Sequence, residues 1–433
     1  MENRFADIVI VGGGMIGATL ALALSRLDCR IMLIEGQSLE KLSTIASAQT
    51  GMPSVHNYDP RVSALTAASQ QLFEGLGVWQ NMVTQQVSPY RHMSVWDADG
   101  TGHIEFDAAD MHQASLGFIV ENRVVVSALY EKLLQDRKVD LLFGRRVRSI
   151  EPPQADAPGR GGRVLLLDDG AQISCNLLVG ADGAQSQVRN LVSIPTREWD
   201  YEHHGIVATV ETALPHNATA WQRFMGSGPI AFLPLSDSLG SQRYCSIVWS
   251  ATPDIADELM ACDEDEFCSR LAAALELRLG AVTNVSARYR FPLRQRHAKY
   301  YFKEGVVLVG DAAHTIHPLA GQGANLGLLD VAVLADELIR SQRRGVAISD
   351  SSILQRYQRR RMGPNLAMMG VMEGFKQLFA KEDLGLRWLR NTGMKWLNRT
   401  PFIKNEIVSQ AMGLNVRMPR FQDASSESSQ FAE

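Results

Sequence analysis

The hydrophobic pattern changes period several times along the chain. Asp7–Val11 is a short, nearly all-apolar run, as expected of a parallel strand buried on both faces. From Met15 to Leu27 the apolar positions recur at helical spacing through Ile16, Leu20, Leu24 and Leu27, and Arg30–Glu35 is strand-like again. Together these segments predict a βαβ unit. Further strands are expected at Val139–Phe143, Val164–Leu167, Leu177–Gly180 and Val306–Gly310. Gly205–Val210 differs, because it partly alternates and suits an antiparallel sheet with one buried face. Phe232–Leu235 and Tyr244–Trp249 read the same way.

The expected fold is therefore α/β: a Rossmann-like domain with an inserted, mainly antiparallel sheet and C-terminal helices. Residues 1–87, 120–195 and 291–350 are assigned to the first domain. Residues 88–119 and 196–290 form the insert, and 351–416 a helical region. The polar, Ser-rich end, 417–433, is expected to be a disordered tail. Pro152–Gly162 is a turn-rich surface loop.

Composition narrows the class. The chain has 433 residues, 45% hydrophobic and 21% charged, enough for a large core shared by two intertwined domains. A net charge of -4 gives no reason to expect nucleic acid as a partner. The 5 cysteines are scattered and form no C-x-x-C, which argues against a disulfide framework or zinc site and fits a reducing cytosol. Ile8–Leu24 is apolar enough to imitate a signal peptide, but Asp7 precedes it and its glycines have phosphate-loop spacing. Elsewhere no run of ~20 uninterrupted apolar residues suggests a membrane span.

Two motifs carry the chemistry. Gly12-x-Gly14-x-x-Gly17 lies between the first strand and helix. Gly12 permits the tight turn, Gly14 lets the backbone approach a pyrophosphate, and Gly17 lets helix and strand lie close. Glu35 ends the second strand, where an acid binds ribose hydroxyls. The second motif is Gly310-Asp311, opening GDAAHTIHPLAGQGAN. A buried strand delivers Asp311 to the carboxyl end of the sheet, where it suits ribitol hydroxyls, and the Leu319–Asn325 turn (Gly321, Gly323, Asn325) offers N–H groups to a flavin pyrimidine. Both point to FAD. The plainer alternative for Asp311 is a helix cap.

Other positions are more open. Asp182-Gly183, followed by Arg189, is a third strand-end acid or an ordinary turn. Arg61 meets a pyrophosphate or nicotinamide dinucleotide, or makes a surface pair. His314 and His317 are three apart, but no third ligand is evident; Pro318 suits a rigid wall beside the flavin, and no metal is expected.

In this order the motifs resemble the single-component FAD aromatic hydroxylases, and within them the ubiquinone-biosynthesis hydroxylases. Asp59–Leu65, Val120-Glu121-Asn122, GDAAHTIHPLAGQGANLG and Ala411–Asn415 carry the likeness over about residues 5–416. Trp199–His204 and Phe232–Asp237 resemble the branch that hydroxylates a polyprenylphenol at the carbon destined to be C5 of the quinone (the 2-polyprenylphenol 6-hydroxylase type). The resemblance implies FAD contacts at Gly12, Gly14, Gly17, Glu35, Arg61, Asn122, Asp182, Asp311, Pro318 and the 321–325 turn. One departure from a simple reading is Arg123 beside Asn122, since either side chain can face the cofactor.

A single dinucleotide loop implies that NAD(P)H visits transiently as reductant, with O2 as co-substrate. The protein's task is to orient the ring and exclude water. Tyr201, His203, His204 and Tyr244 are candidate partners for the phenol hydroxyl, yet such residues are more often structural, so no catalytic residue is named. Residues 386–404 interleave Arg387, Arg390, Lys395, Arg399 and Lys404 with Trp388, Leu389, Trp396, Leu397 and Phe402. That pattern suits docking to anionic lipid at the inner membrane surface, or an oligomer or biosynthetic-complex contact. Met362, Met368, Met369 and Met372 read as helix packing. Competing functions are a sister hydroxylase at another ring position, a flavin reductase or halogenase, and a flavin-stabilised scaffold.

Overall fold

The computed structural model describes residues 3–40, 53–98, 101–152, 162–237, 239–316 and 322–380, with Thr392 and Thr400. Strands β1 (Asn3–Val11), β2 (Ile31–Glu35), β3 (Val62–Leu65), β4 (Ser88–Tyr90), β5 (His92–Asp97), β6 (His103–Asp107) and β7 (Gly117–Glu121) come first. β8 (Val139–Phe143), β9 (Val147–Glu151), β10 (Arg163–Leu167), β11 (Gln172–Gly180) and β12 (Thr196–Thr212) follow. Then come β13 (Thr219–Phe224), β14 (Ile230–Leu235), β15 (Tyr244–Ala251) and β16 (Val282–Val285). β17 (Tyr289–Ala298), β18 (Phe302–Lys303), β19 (Val306–Leu308) and β20 (His314–Thr315) complete them. The helices are α1 (Met15–Leu24), α2 (Ala67–Gly75), α3 (Trp79–Gln86), α4 (Asn122–Asp136), α5 (Gln187–Leu191), α6 (Pro253–Ala261), α7 (Glu264–Ala274), α8 (Gln322–Arg343) and α9 (Ser351–Ala380).

The first sheet has the order β18-β19-β11-β1-β2-β8, with the five strands from β19 to β8 parallel. β1 is central, and Ile8, Val9 and Ile10 are wholly buried because the sheet is covered on both faces. α1 is apolar nearly throughout for a similar reason: Gly17–Leu24 are all buried. This burial accounts for the apolar composition of Ile8–Leu24.

The second sheet runs β20-β17-β12-β15-β14-β13-β5-β6, with β16 also against β12. One face, carrying Ile206, Ala208, Val210, Phe232 and Ile247, packs on Leu259 of α6 and Phe267 and Leu271 of α7. Strand alternation turns Val207, Thr209, Leu233 and Ser246 to the opposite face. There Leu233, Leu235 and Tyr244 meet Val55, Tyr58, Ala64 and Ile119.

The domain boundaries drawn from sequence differ from this arrangement in two places. Residue 291 falls inside β17, which pairs with β12 from Tyr289 to Ala298, and β20 carries the same sheet to Thr315. Within 88–119, only β5 and β6 join the large sheet; β4 and β7 pair with each other, and β7 with β3. β17 hid from pattern reading because much of Tyr289–Arg294 is exposed and lacks an apolar stripe. The proposed tail and residues 386–391, 393–399 and 401–404 of the basic segment lie outside the described residues.

Candidate active site

The carboxyl ends of β1, β11 and β19 lie side by side, with Val11 opposite Gly180 and Gly180 opposite Leu308. This one register gathers Gly12, Asp182 and Asp311 at one sheet edge, the position at which open α/β sheets bind ligands. Gly12 has φ +103, and a Cβ there would come within 2.4 Å of the Ala181 carbonyl oxygen. Gly14 is the N-cap of α1, with no side-chain cap and no acid in the first turn. Nothing lies within 4 Å of where its Cβ would be. Free N–H groups at a helix start beside open space form an anion seat.

Glu35 stands beside this loop. Its Oε2 accepts from Gly13 N at 2.6 Å and its Oε1 from Gln37 N at 2.8 Å. The buried Tyr130 hydroxyl donates to Gly13 O at 2.9 Å and closes the loop from the other side.

Asp311 follows β19 in a short 3-10 turn, Gly310–Ala312. Among the described residues its carboxylate accepts no hydrogen bond. The residue is exposed, yet its carboxyl is crowded by protein, and desolvation pushes its pKa up, with Asp330 adding to the rise and His314 opposing it. Asp182 Oδ2 accepts from Gln187 N at 2.7 Å and Val188 N at 3.0 Å, while Oδ1 is buried with no partner among the described residues. Arg189 donates to Ala312 O at 2.8 Å and Ala184 O at 3.0 Å, tying the two acidic turns together.

Asn122 Oδ1 accepts from Ser63 Oγ at 2.7 Å, and its N–H donates to Arg61 O at 2.9 Å. Arg61 is exposed, and its guanidinium forms no ion pair among the described residues. Arg123 turns inward instead, pairing with the buried Glu121 at 2.8 Å and donating to Asn57 O. Of the neighbouring pair 122/123, the arginine is thus occupied by structure.

Asn325, expected to offer its backbone N–H, has its side chain bonded within the protein. Its Oδ1 accepts from Thr66 N at 3.0 Å and Ser69 Oγ at 2.7 Å, and its Nδ2 donates to Ala64 O at 2.7 Å. The side chain therefore clamps α8 to the β3–α2 corner. Gly323 lies in the first turn of α8; Pro318 and Gly321, like His317, lie outside the described residues.

The hydroxyl-partner candidates separate. Tyr201 sits in a β-bulge between Asp200 and His203, donates to Gln295 Oε1, and has its pKa raised chiefly by burial. Tyr244 donates to Pro53 O at 3.0 Å, and His204 faces Arg290 at the surface side. His203 Nδ1 lies 2.7 Å from Tyr201 O. Met369 packs with Ile316 and with Leu326 of α8, whereas Met372 packs on strands, against Phe224 of β13 and Ile104 of β6.

Sequence reading passed over one buried group. Asp330, wholly buried on α8, touches Gly310, His314, Arg361 and Asn365. Its one sequence signal is a carboxylate amid the apolar run of Leu328, Val331, Leu334 and Leu338.

A family model described as an FAD binding domain matches residues 6–369. The 3-demethoxyubiquinol 3-hydroxylase of Escherichia coli is 38% identical over 414 residues, covering 96% of this chain and 100% of that protein. The chain belongs to the ubiquinone-biosynthesis FAD hydroxylases. The human mitochondrial ubiquinone biosynthesis monooxygenase COQ6 is 33% identical over 451 residues, 94% of this chain and 92% of that one. Among solved structures, the probable FAD-dependent monooxygenase pqsL of Pseudomonas aeruginosa superposes with a TM-score of 0.71 at 23% identity, over 90% of this chain and 99% of that one. That likeness concerns the fold. In this FAD-dependent monooxygenase the residues fit the cofactor: the uncapped, open start of α1 suits a pyrophosphate, and the carboxylate of Asp311, which accepts no hydrogen bond among the described residues, suits hydroxyl donors. When bound, FAD supplies the redox and oxygen chemistry. No described helix is long and apolar enough to cross a membrane.

Proposed function

We propose that this monooxygenase hydroxylates the aromatic ring of a polyprenylated phenol on the route to ubiquinone, using NAD(P)H and O2. The observation that carries the reading is the hydrogen-bonded junction between cofactor loop and inserted sheet. β20, three residues beyond Asp311, pairs with β17, with Arg296 opposite Thr315 and His297 opposite His314. Residues that hold FAD are therefore in rigid register with the sheet proposed to hold the ring. Gly12, Gly14, Gly17, Glu35, Arg61, Asn122, Asp182, Asp311, Pro318 and the 321–325 turn are assigned to FAD.

The protein's own contribution is positional. The sheet face bearing Val207 and Leu233 orients the ring and keeps water away, and the bulge aims Tyr201 inward. The proposed ring position is the carbon destined for C5, on the strength of segments 199–204 and 232–237. A second reading, hydroxylation of a demethoxyubiquinol-type ring, is favoured by the full-length match to the Escherichia coli 3-hydroxylase. A cytoplasmic protein with peripheral contact at the inner membrane surface, or a homo-oligomer within a biosynthetic complex, accommodates a greasy tail.

The test is mass spectrometry of quinone precursors in a strain lacking the protein. Accumulation of the unmodified polyprenylphenol supports the C5 assignment. Accumulation of a demethoxyubiquinol supports the second reading, and an unchanged quinone profile rejects both.

A further inference from the structure

Asp330 lies beneath the cofactor loop, and one of its oxygens holds that loop at two points. Oδ2 accepts from Gly310 N at 3.0 Å and lies 2.6 Å from His314 Nε2. Asp311, the acid assigned to FAD, is between these two points. Oδ1 is held from the other side by Arg361 Nε at 2.7 Å and Asn365 Nδ2 at 3.3 Å, both on α9. Arg361 also donates to Asn365 Oδ1 at 2.6 Å and Leu326 O at 3.2 Å. Asn365 continues to the Tyr301 hydroxyl at 3.1 Å, which meets His297 Nε2 at 3.1 Å. His297 belongs to β17, so the chain of contacts ends in the inserted sheet.

Every member is buried: Asp330 and Asn365 at 0%, Tyr301 at 0%, His314 at 1%, His297 at 4%, Arg361 at 5%. Burying such a cluster costs desolvation that apolar side chains of similar volume would avoid. What a carboxylate adds, and apolar packing lacks, is a directional grip on particular N–H groups. Here those groups bracket the acid assigned to the cofactor.

We propose that Asp330 is the positioning residue of the cofactor loop: it fixes Gly310 and His314 so that Asp311 faces FAD, and it couples this geometry to α9 and β17. The proposal rests on FAD occupying the site and is independent of the ring position.

Asp330→Asn tests it, because an amide presents only one acceptor oxygen and cannot satisfy both sides. Arg356→Gln is the control. Arg356 pairs with Glu337 at 2.8 Å across the same two helices, away from the loop. Apoprotein titrated with FAD, followed by flavin fluorescence, is expected to show at least a ten-fold weaker Kd for D330N and an unchanged Kd for R356Q. At saturating FAD, the flavin midpoint potential should move in D330N and not in R356Q, a change that a loss of stability alone would not produce. Equal Kd and potential in D330N and wild type, or parallel losses in R356Q, overturn the role. Should D330N fail to fold, Asn365→Ser removes one far-side donor; a several-fold rise in Kd is expected, and an unchanged Kd refutes the coupling. Wild-type protein that does not take FAD refutes the site itself, a separate outcome.

Discussion

A Cβ placed on Gly17 would lie 1.8 Å from the carbonyl oxygen of Gly12. The first turn of α1 thus rests directly on the end of β1, with no room for a methyl group. Gly14, in the same loop, faces open space. The two glycines should fail differently when replaced. Gly17→Ala is expected to cost about 3 kcal/mol or more of stability, since backbone must move. Gly14→Ala should stay within about 1 kcal/mol of wild type yet bind FAD at least ten-fold more weakly. Denaturant unfolding of the apoproteins, alongside FAD titration, checks the contrast. Equal destabilisation by both variants would contradict it.

Asp311 carries a charge that the fold disfavours, as its raised pKa indicates. Removing that charge should not weaken the apoprotein at pH 7. Asp311→Asn is therefore expected to unfold at the same or higher denaturant concentration, while losing about 1.5–3 kcal/mol of FAD binding, the worth of a charged hydrogen bond. A variant that unfolds early but retains cofactor affinity would reverse the assignment.

How much of this was legible in the sequence depended on range. Gly12, Gly14 and Gly17 work through backbone geometry at local spacing, so their pattern is visible without a structure. Asp311 was legible because a buried strand delivers it. Asp330 was not, since its partners Arg361 and Asn365 are 31 and 35 positions away and only helix packing brings them together. Asn325 shows a different limit: the motif singles out the position, but the side-chain bonds to Ala64, Thr66 and Ser69 come from residues 256–261 positions away and are not visible in it. β17 escaped because its exposed segment has no apolar alternation.

His297 should make stability pH-dependent. Burial, with help from His314 and Arg197, lowers its pKa from 6.5 to about 4. Between these values the unfolded chain binds a proton that the folded chain refuses. Stability therefore falls as pH drops from about 6.5 to about 4, on the order of 2 kcal/mol from this group after allowance for partial solvent screening. His297→Gln should flatten that slope. Parallel stability curves for variant and wild type at pH 7 and pH 5 would exclude the residue as its source.

Glu121 and Arg123 form a buried pair at 2.8 Å, and burial raises the pKa of Glu121. Arg123→Met takes the cation from the buried carboxylate, which still accepts from Asp59 N, and should cost about 3 kcal/mol. Adding Glu121→Gln should recover part of the loss, because a neutral amide replaces a buried charge that has lost its cation. Denaturant midpoints of the single and double variants decide this; a double variant no better than the single would contradict the pairing.

The most direct measurement is the flavin content of the purified chain after incubation with FAD and removal of unbound cofactor. One FAD per chain, with the visible absorption bands of a protein-bound flavin, is the expected result. A colourless protein would contradict the site formed by the ends of β1, β11 and β19.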